Sequence, residues 1–321
     1  MKRTISRMSL LLTGVLLLLI TTFGLVARPT RGQSGKETKE AEGARLLKGA
    51  IDMHFHMDPP YPDGSHDEAT IATVRMAKER GMRGLVIKSH MEPTATLVYH
   101  IRLEVPGIEL FGGIVMNRPN GGMNPAAVEH MTQVYGTPGK VVWMPAYDSE
   151  IESNPPYPKK PFVAVSRDGK LLPETKEVIS LVAKNNLILA SGHIGPEEAL
   201  MVFREGRSQG VRHMIATHAM DLAGKMNMSQ MLEAANLGAI VEFDYRNLFD
   251  DGAARLDAIR KIGPEHCLMS EFWTHKSPRV YAGLEGIGDF VEAMHARGFT
   301  DRELDIMFKE NPARLLELPA R

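Results

Sequence analysis

The chain has 321 residues, with 38 Lys and Arg against 39 Asp and Glu, 43% hydrophobic residues, 6% aromatics and a single cysteine, Cys267. This near-neutral balance gives no net positive field for phosphate backbones, which argues against a nucleic-acid partner, and the apolar content excludes a disordered or collagenous chain. One thiol makes neither an internal disulfide nor a cysteine-based zinc knuckle, so any metal must be held by His and carboxylates.

Lys2, Arg3 and Arg7 precede an uncharged, apolar-leaning run from Met8 to Ala27, the order of residues in an export signal. Two outcomes fit: cleavage after the small residue Ala27, or an uncleaved helix that anchors the chain in a membrane. Both place the remainder outside the cytoplasm, periplasmic or extracellular, with the membrane touched only through residues 1–27. Cleavage would remove three positive charges and take the net charge from −1 to −4. Residues 28–46 are polar and read as a flexible tether. The folded unit is expected over residues 47–321.

From Ala50 onward, short apolar runs alternate with amphipathic segments. The runs are Ala50 to His56, Gly84 to Ser89, Glu109 to Asn117, Lys140 to Pro145, Leu187 to Ser191, Met214 to Thr217, Ala239 to Phe243 and Cys267 to Ser270. Helices are expected between and after them, at Glu68 to Arg80, Thr94 to Val105, Pro125 to Tyr135, Pro173 to Asn185, Pro196 to Gln209, Ser229 to Leu237, Ala253 to Ile262 and Leu284 to Arg297. Eight such pairs in about 250 residues predict an α/β fold, a (β/α)8 TIM barrel. A doubly wound open sheet is the runner-up, and neither a GxGxxG nor a GxxxxGK[ST] motif supports it. Asp148 to Leu172 is too long for an ordinary connection. Its Arg-Asp-Gly-Lys tip predicts a small hairpin inserted after the fourth strand, either a substrate-shaping lid or a surface decoration.

Five of the twelve histidines fall at the carboxyl ends of predicted strands: His54, His56, His90, His193 and His218. Side chains i and i+2 of a strand share a face, so His54 and His56 in IDMHFH can both point into the barrel mouth and hold one metal. Glu271, in CLMSEFW after the eighth run, is placed to ligate that metal and to accept a proton from bound water. Lys88 shares a face with His90; either can stabilise developing negative charge, and Lys88 can also hold a substrate carboxylate or phosphate. Asn117, Tyr147, Asp148, Glu242 and Asp244 reach the same rim as pocket candidates. His66 and His275 lie in loops nearby. His100, His130, His213, His266 and His295 fall on helices or strand entrances, where structural or surface roles are expected. The methionine-rich stretch MNMSQM, Met226 to Met231, reads as apolar packing, not a copper site.

At this point the residues resemble the amidohydrolase superfamily of metal-dependent hydrolases. The matching pieces are IDMHFHMDP, ASGHIG, IATHAM, LMSEFW and the closing FKENPARLLEL, over roughly residues 49–318. Together with VIKSH and VVWMPAYD they look most like an uncharacterised amidohydrolase-related branch. The resemblance implies that His54, His56 and His193 are metal ligands, that His218 is a ligand or orients water, and that Glu271 is ligand and base. Two departures stand out: the superfamily generally carries Asp where this chain has Glu271, one methylene longer, and the fourth run lacks the bridging carboxylated Lys or Glu of binuclear members. A mononuclear site is therefore expected, with zinc the best-suited ion and iron or manganese also compatible. The function implied is hydrolysis of a small-molecule carbonyl or phosphoester substrate. A metal-dependent decarboxylase or lyase, and a non-catalytic exported binding protein that kept the pocket, are the alternatives. A homo-oligomer is compatible with the sequence.

Overall fold

The computed structural model describes residues 31–58, 71–221, 225–245, 248–272 and 283–319. The expected signal or anchor, residues 1–27, lies outside them, as do His66 and His275. The chain opens with helix α1 (Arg31–Leu47). It then alternates β1 (Ile51–His56), α2 (Ile71–Glu79), β2 (Gly84–Lys88), α3 (Ala95–Glu104), β3 (Glu109–Val115), α4 (Pro125–Thr132) and β4 (Gly139–Trp143). After the insertion, which carries β5 (Ser166–Arg167) and β6 (Lys170–Leu171), it continues with α5 (Pro173–Lys184), β7 (Ile188–Ala190), α6 (Pro196–Ser208), β8 (His213–Ala216), α7 (Met228–Asn236), β9 (Ala239–Asp244), α8 (Leu248–Ile262), β10 (Cys267–Ser270) and α9 (Gly283–Ala296). Short helices α10 (Asp301–Asp305) and α11 (Asn311–Leu315) end the fold, with a π-helical turn between them.

Eight parallel strands in the order β1-β2-β3-β4-β7-β8-β9-β10 form the sheet, and β10 lies against β1, so the sheet curls into the expected (β/α)8 barrel. Strands buried on both faces must be apolar on both, which is why the sequence shows runs such as GLVIK in place of strict alternation. Alternation survives in which core each side chain joins. Leu85 and Ile87 pack outward under the helices, whereas Val86 faces the barrel interior with Met53, Trp143, Ile240 and Leu268. Along the inner face the lower positions are apolar and the upper ones polar, as in Ile240, Glu242 and Asp244 of β9.

β1 departs from simple alternation. Ile51 and Met53 face the interior, yet Phe55 joins the outer core. A register shift between Asp52 and Phe55 opposite β2 accounts for this. The irregularity re-aims the strand, so His54 and His56 turn to the mouth while Phe55 packs outward.

The stretch expected to be a flexible tether, residues 28–46, is a correction: from Arg31 it is helical and packs on α9. Its composition misled because little apolar side chain carries the packing until Leu46 and Leu47, which are fully buried. Instead the helices approach through glycine. A Cβ at Gly43 would collide with the Leu284 carbonyl, and one at Gly288 with that of Lys39. Lys36 pairs with Glu285, Lys39 with Asp289 and Glu292, and Arg45 with Asp301. The insertion hairpin is as expected: β5 and β6 pair antiparallel across Asp168-Gly169, both at positive φ (52° and 72°), the conformation of a tight hairpin turn.

Candidate active site

The upper ends of β1, β2, β7, β8, β9 and β10 bring one cluster together. Glu271, fully buried, sits just past β10, and its Oε1 lies 3.5 Å from His54 Nε2, 3.5 Å from His56 Nε2 and 3.1 Å from His218 Nε2. Two residues of this cluster, Glu271 (φ 53°) and His218 (φ 46°), occupy the left-handed region that non-glycine residues avoid. Such conformations cost about 1–3 kcal/mol each and persist where neighbours enforce them. For Glu271 the enforcing group is Asp52, whose buried carboxylate Oδ1 accepts the backbone N–H of Glu271 and of His54, each at 3.0 Å. One carboxylate thus ties the last strand to the first and fixes a residue on each.

Behind each imidazole stands a carboxylate at Nδ1. Glu242 Oε1 lies 2.9 Å from His54, Asp58 Oδ2 lies 3.3 Å from His56 and 3.2 Å from His90, Glu152 Oε1 lies 2.6 Å from His193, and Asp221 Oδ2 sits 3.6 Å from His218. Where a carboxylate is hydrogen-bonded at Nδ1 it keeps the proton there and leaves Nε2 as the ligand nitrogen; at His218 the 3.6 Å separation is too long for a hydrogen bond, and the buried Nδ1 has no hydrogen-bond partner. Asp58 is itself held by Ser89 Oγ at 2.6 Å and the His90 backbone N–H at 2.7 Å. Ser270 Oγ donates to Glu242 at 2.5 Å. Asn117 is structural: its amide donates to the His90 carbonyl and its oxygen accepts from Ala146 and Asp148, tying three rim segments together. Tyr147 stacks on His90, with ring centroids 3.9 Å apart.

Lys88 is buried among these groups, with Nζ 2.7 Å from His54 Nε2 and 5.5 Å over the Trp143 ring. Burial lowers its pKa to about 8, against the pull of Glu271 and Glu242. Burial, helped by Lys88, holds His54 well below the usual imidazole range, and burial takes His193 down to about 4. At His218 burial acts in the same direction, but the Glu271 carboxylate outweighs it and raises the pKa to about 9. His56 is raised because its contacts with Asp58 and Glu271 outweigh burial. Burial raises Glu242.

Two observations test whether a divalent ion fits here. The buried Nε2 of His193 has no hydrogen-bond partner, an orphan that a metal would satisfy. His54, His218 and Glu271 also offer ligand atoms within 4.8 Å of one another, as do His56, Asp58 and His90. Imidazole nitrogens around a carboxylate suit a first-row divalent cation. The set fits, with the condition that an ion on His54 Nε2 displaces the Lys88 ammonium from that lone pair.

The structure thus brings His54, His56, His90, His193, His218, Lys88 and Glu271 together, with Glu242, Asp244 and Tyr147 at the same rim. Sequence reasoning missed Asp52, Asp58, Glu152 and Asp221. Asp58 was detectable as the next step of the His54, His56 alternation and Asp221 as an i+3 neighbour of His218. Glu152 comes from the insertion and Asp52 acts across the barrel seam, and neither relation has a local signal. His213 and His295 pair with surface acids, Glu317 and Asp301.

A family model matches residues 49–242, from just before β1 into β9. The chain belongs to DUF6282, a family of unknown function. No curated protein matches it. Among solved structures the fold is similar to a probable dipeptidase from Pseudomonas aeruginosa (TM-score 0.59, 11% identity, covering 87% of this chain and 98% of that one). It is also similar to an amidohydrolase from Burkholderia multivorans with bound zinc (0.56, 12%, 84% and 99%), and to a 2,6-dihydroxybenzoate decarboxylase from Rhizobium (0.53, 11%, 84% and 99%). The amidohydrolase resemblance read from the sequence is borne out in the fold that this DUF6282 member shares with them.

Proposed function

We propose that this protein is a metal-dependent hydrolase acting on a small exported-compartment substrate with a carbonyl or phosphoester centre. The observation that carries the reading is the convergence of His54, His56 and His218 Nε2 on Glu271, each ring backed by a carboxylate. His54, His56, His193, His218 and Glu271 would hold the ion, zinc by the chemistry of the donor set, with iron or manganese compatible. When bound, such an ion acidifies water and polarises a substrate oxygen. Glu271 accepts the proton of the attacking water. Lys88 and His90 face negative charge that develops on the substrate, in a setting dry enough for the interaction to be strong. His218 would serve the ion through Nε2, with the Asp221 carboxylate 3.6 Å from its other nitrogen.

A second reading, a decarboxylase or lyase on the same residues, is favoured by Lys88. A buried ammonium beside the ligand cluster is placed to hold a substrate carboxylate or to stabilise a carbanion. Product analysis separates the two, since carbon dioxide release without hydrolysis products supports the lyase.

The first experiment is metal content by mass spectrometry, wild type beside a His54→Ala, His56→Ala double variant. About one ion per wild-type chain and none in the variant is expected. Amides, lactones and phosphoesters are then screened, and Glu271→Ala should abolish turnover with the fold intact. Wild-type protein without metal even after reconstitution, or full turnover in Glu271→Ala, overturns the proposal.

A further inference from the structure

Arg255 on α8 stands apart from the ligand cluster yet belongs to the same rim. It is 6% exposed, and its Nη2 lies 2.7 Å from Asp221 Oδ1, the carboxylate that backs His218. Its Nε and Nη1 are buried and have no hydrogen-bond partner. Donors of a buried cation are rarely left unpaired, and those that are call for an occupant.

The occupant is defined by charge and shape. Asp58, Asp221, Glu242, Asp244 and Glu271 crowd this rim, and Asp221 and Asp244 offer oxygens within 4.8 Å of a His218 nitrogen. Among the described residues only Lys88 and Arg255 set a Lys or Arg cation against them there. Among the described residues, an anionic group entering between so many carboxylates meets opposite charge at those two side chains. Lys88 lies at the centre itself, beside His54, where the reacting bond would sit. Arg255 lies one side chain farther out, across Asp221 from His218, and presents a planar set of donors that matches a carboxylate or a phosphate.

We propose that Arg255 is a substrate-binding residue that receives an anionic group, carboxylate or phosphate, of the molecule whose reacting centre lies at Glu271. This deepens the hydrolase reading by naming the substrate class, and rests on it for the position of the reacting centre. It also assigns a direction: the anionic end lies on the α8 side and the reactive bond toward β1. Asp221 then lies between the two ends, 3.6 Å from His218 Nδ1 and 2.7 Å from Arg255 Nη2, so the charge of one carboxylate bears on both.

Calorimetric titration of the full chain with succinate, and separately with inorganic phosphate, tests this without any need for turnover. One saturable site per chain is expected for one of the two anions, which also tells the carboxylate from the phosphate. Arg255→Gln and Arg255→Lys should each weaken that binding at least tenfold. Lys keeps a positive charge opposite Asp221, so this variant retains the fold if Gln does not, and unchanged thermal unfolding confirms it. Failure of wild type to bind either anion saturably, or wild-type affinity in Arg255→Lys, overturns the assignment. Wild-type protein that takes up no metal even on reconstitution, yet binds the anion through Arg255, would sink the hydrolase reading alone.

Discussion

The two ends of the barrel use the same residue types to opposite effect. At the carboxyl end of the strands, Asp52, Asp58, Glu242 and Glu271 are buried and each contacts a named histidine or its backbone. At the amino end, Arg302 pairs with Glu310 and Arg314 reaches the Glu265 carbonyl in contacts open to water, and Lys309 lies 2.8 Å from a half-buried Asp305. Exposed pairs contribute little because solvent screens them. Buried ones cost desolvation and persist where they orient other groups. The difference separates charges that position other groups from charges that meet solvent, and barrel enzymes place their chemistry at that same carboxyl end.

The comparison is sharpened first at Glu271. Glu271→Asp shortens the side chain by one methylene and should withdraw the carboxylate from the three imidazoles, weakening metal binding about 10–100-fold, read by competition with a chelator. Improved binding in that variant would show that the chain has drifted from an Asp-based site. Asp52→Ala leaves two buried N–H groups without their acceptor. At about 1–3 kcal/mol each, a loss of about 2–6 kcal/mol is expected in urea unfolding.

Smaller effects follow away from the seam. Glu152→Gln keeps the shape at His193 but weakens its hold on the ring, so metal affinity should fall about tenfold with no shift in thermal unfolding. A matching fall in stability would mean that Glu152 serves the insertion, not the imidazole. Gly288→Ala forces α1 from α9 at a cost of about 1–3 kcal/mol by overpacking. Arg302→Ala, at the opposite end, should leave unfolding and metal content unchanged within error, and a large effect there would break the contrast between the two faces.

Much of this was legible in the sequence because it is written in local periodicity. Strand runs such as GLVIK and the helix openings Pro125, Pro173 and Pro196 fall where expected. His54, His56, Lys88 and Glu271 were found because strand alternation and strand ends predict their facing. Asp52 was not, because its role depends on β10 returning to β1, a relation between the two ends of the barrel that no window of sequence contains. Helix α1 was misread for a related reason: Gly43 and Gly288 make it pack, and glycine in a polar stretch ordinarily signals freedom.

Asn311 has a bearing on how the molecule is made. Its amide donates to the Cys267 carbonyl at 2.6 Å and the Pro264 carbonyl at 2.9 Å, pinning the chain terminus to the entrance of the last strand. During synthesis β1 emerges before the other barrel strands, and its closing neighbour β10, with the residue that pins it, emerges after them. Until then β1 waits with an open edge, the kind of surface on which nascent chains associate wrongly. A ribosome that stops short of Asn311 therefore releases a chain whose first strand has no settled neighbour, and such a product should be recognised by chaperones and proteases as unfinished.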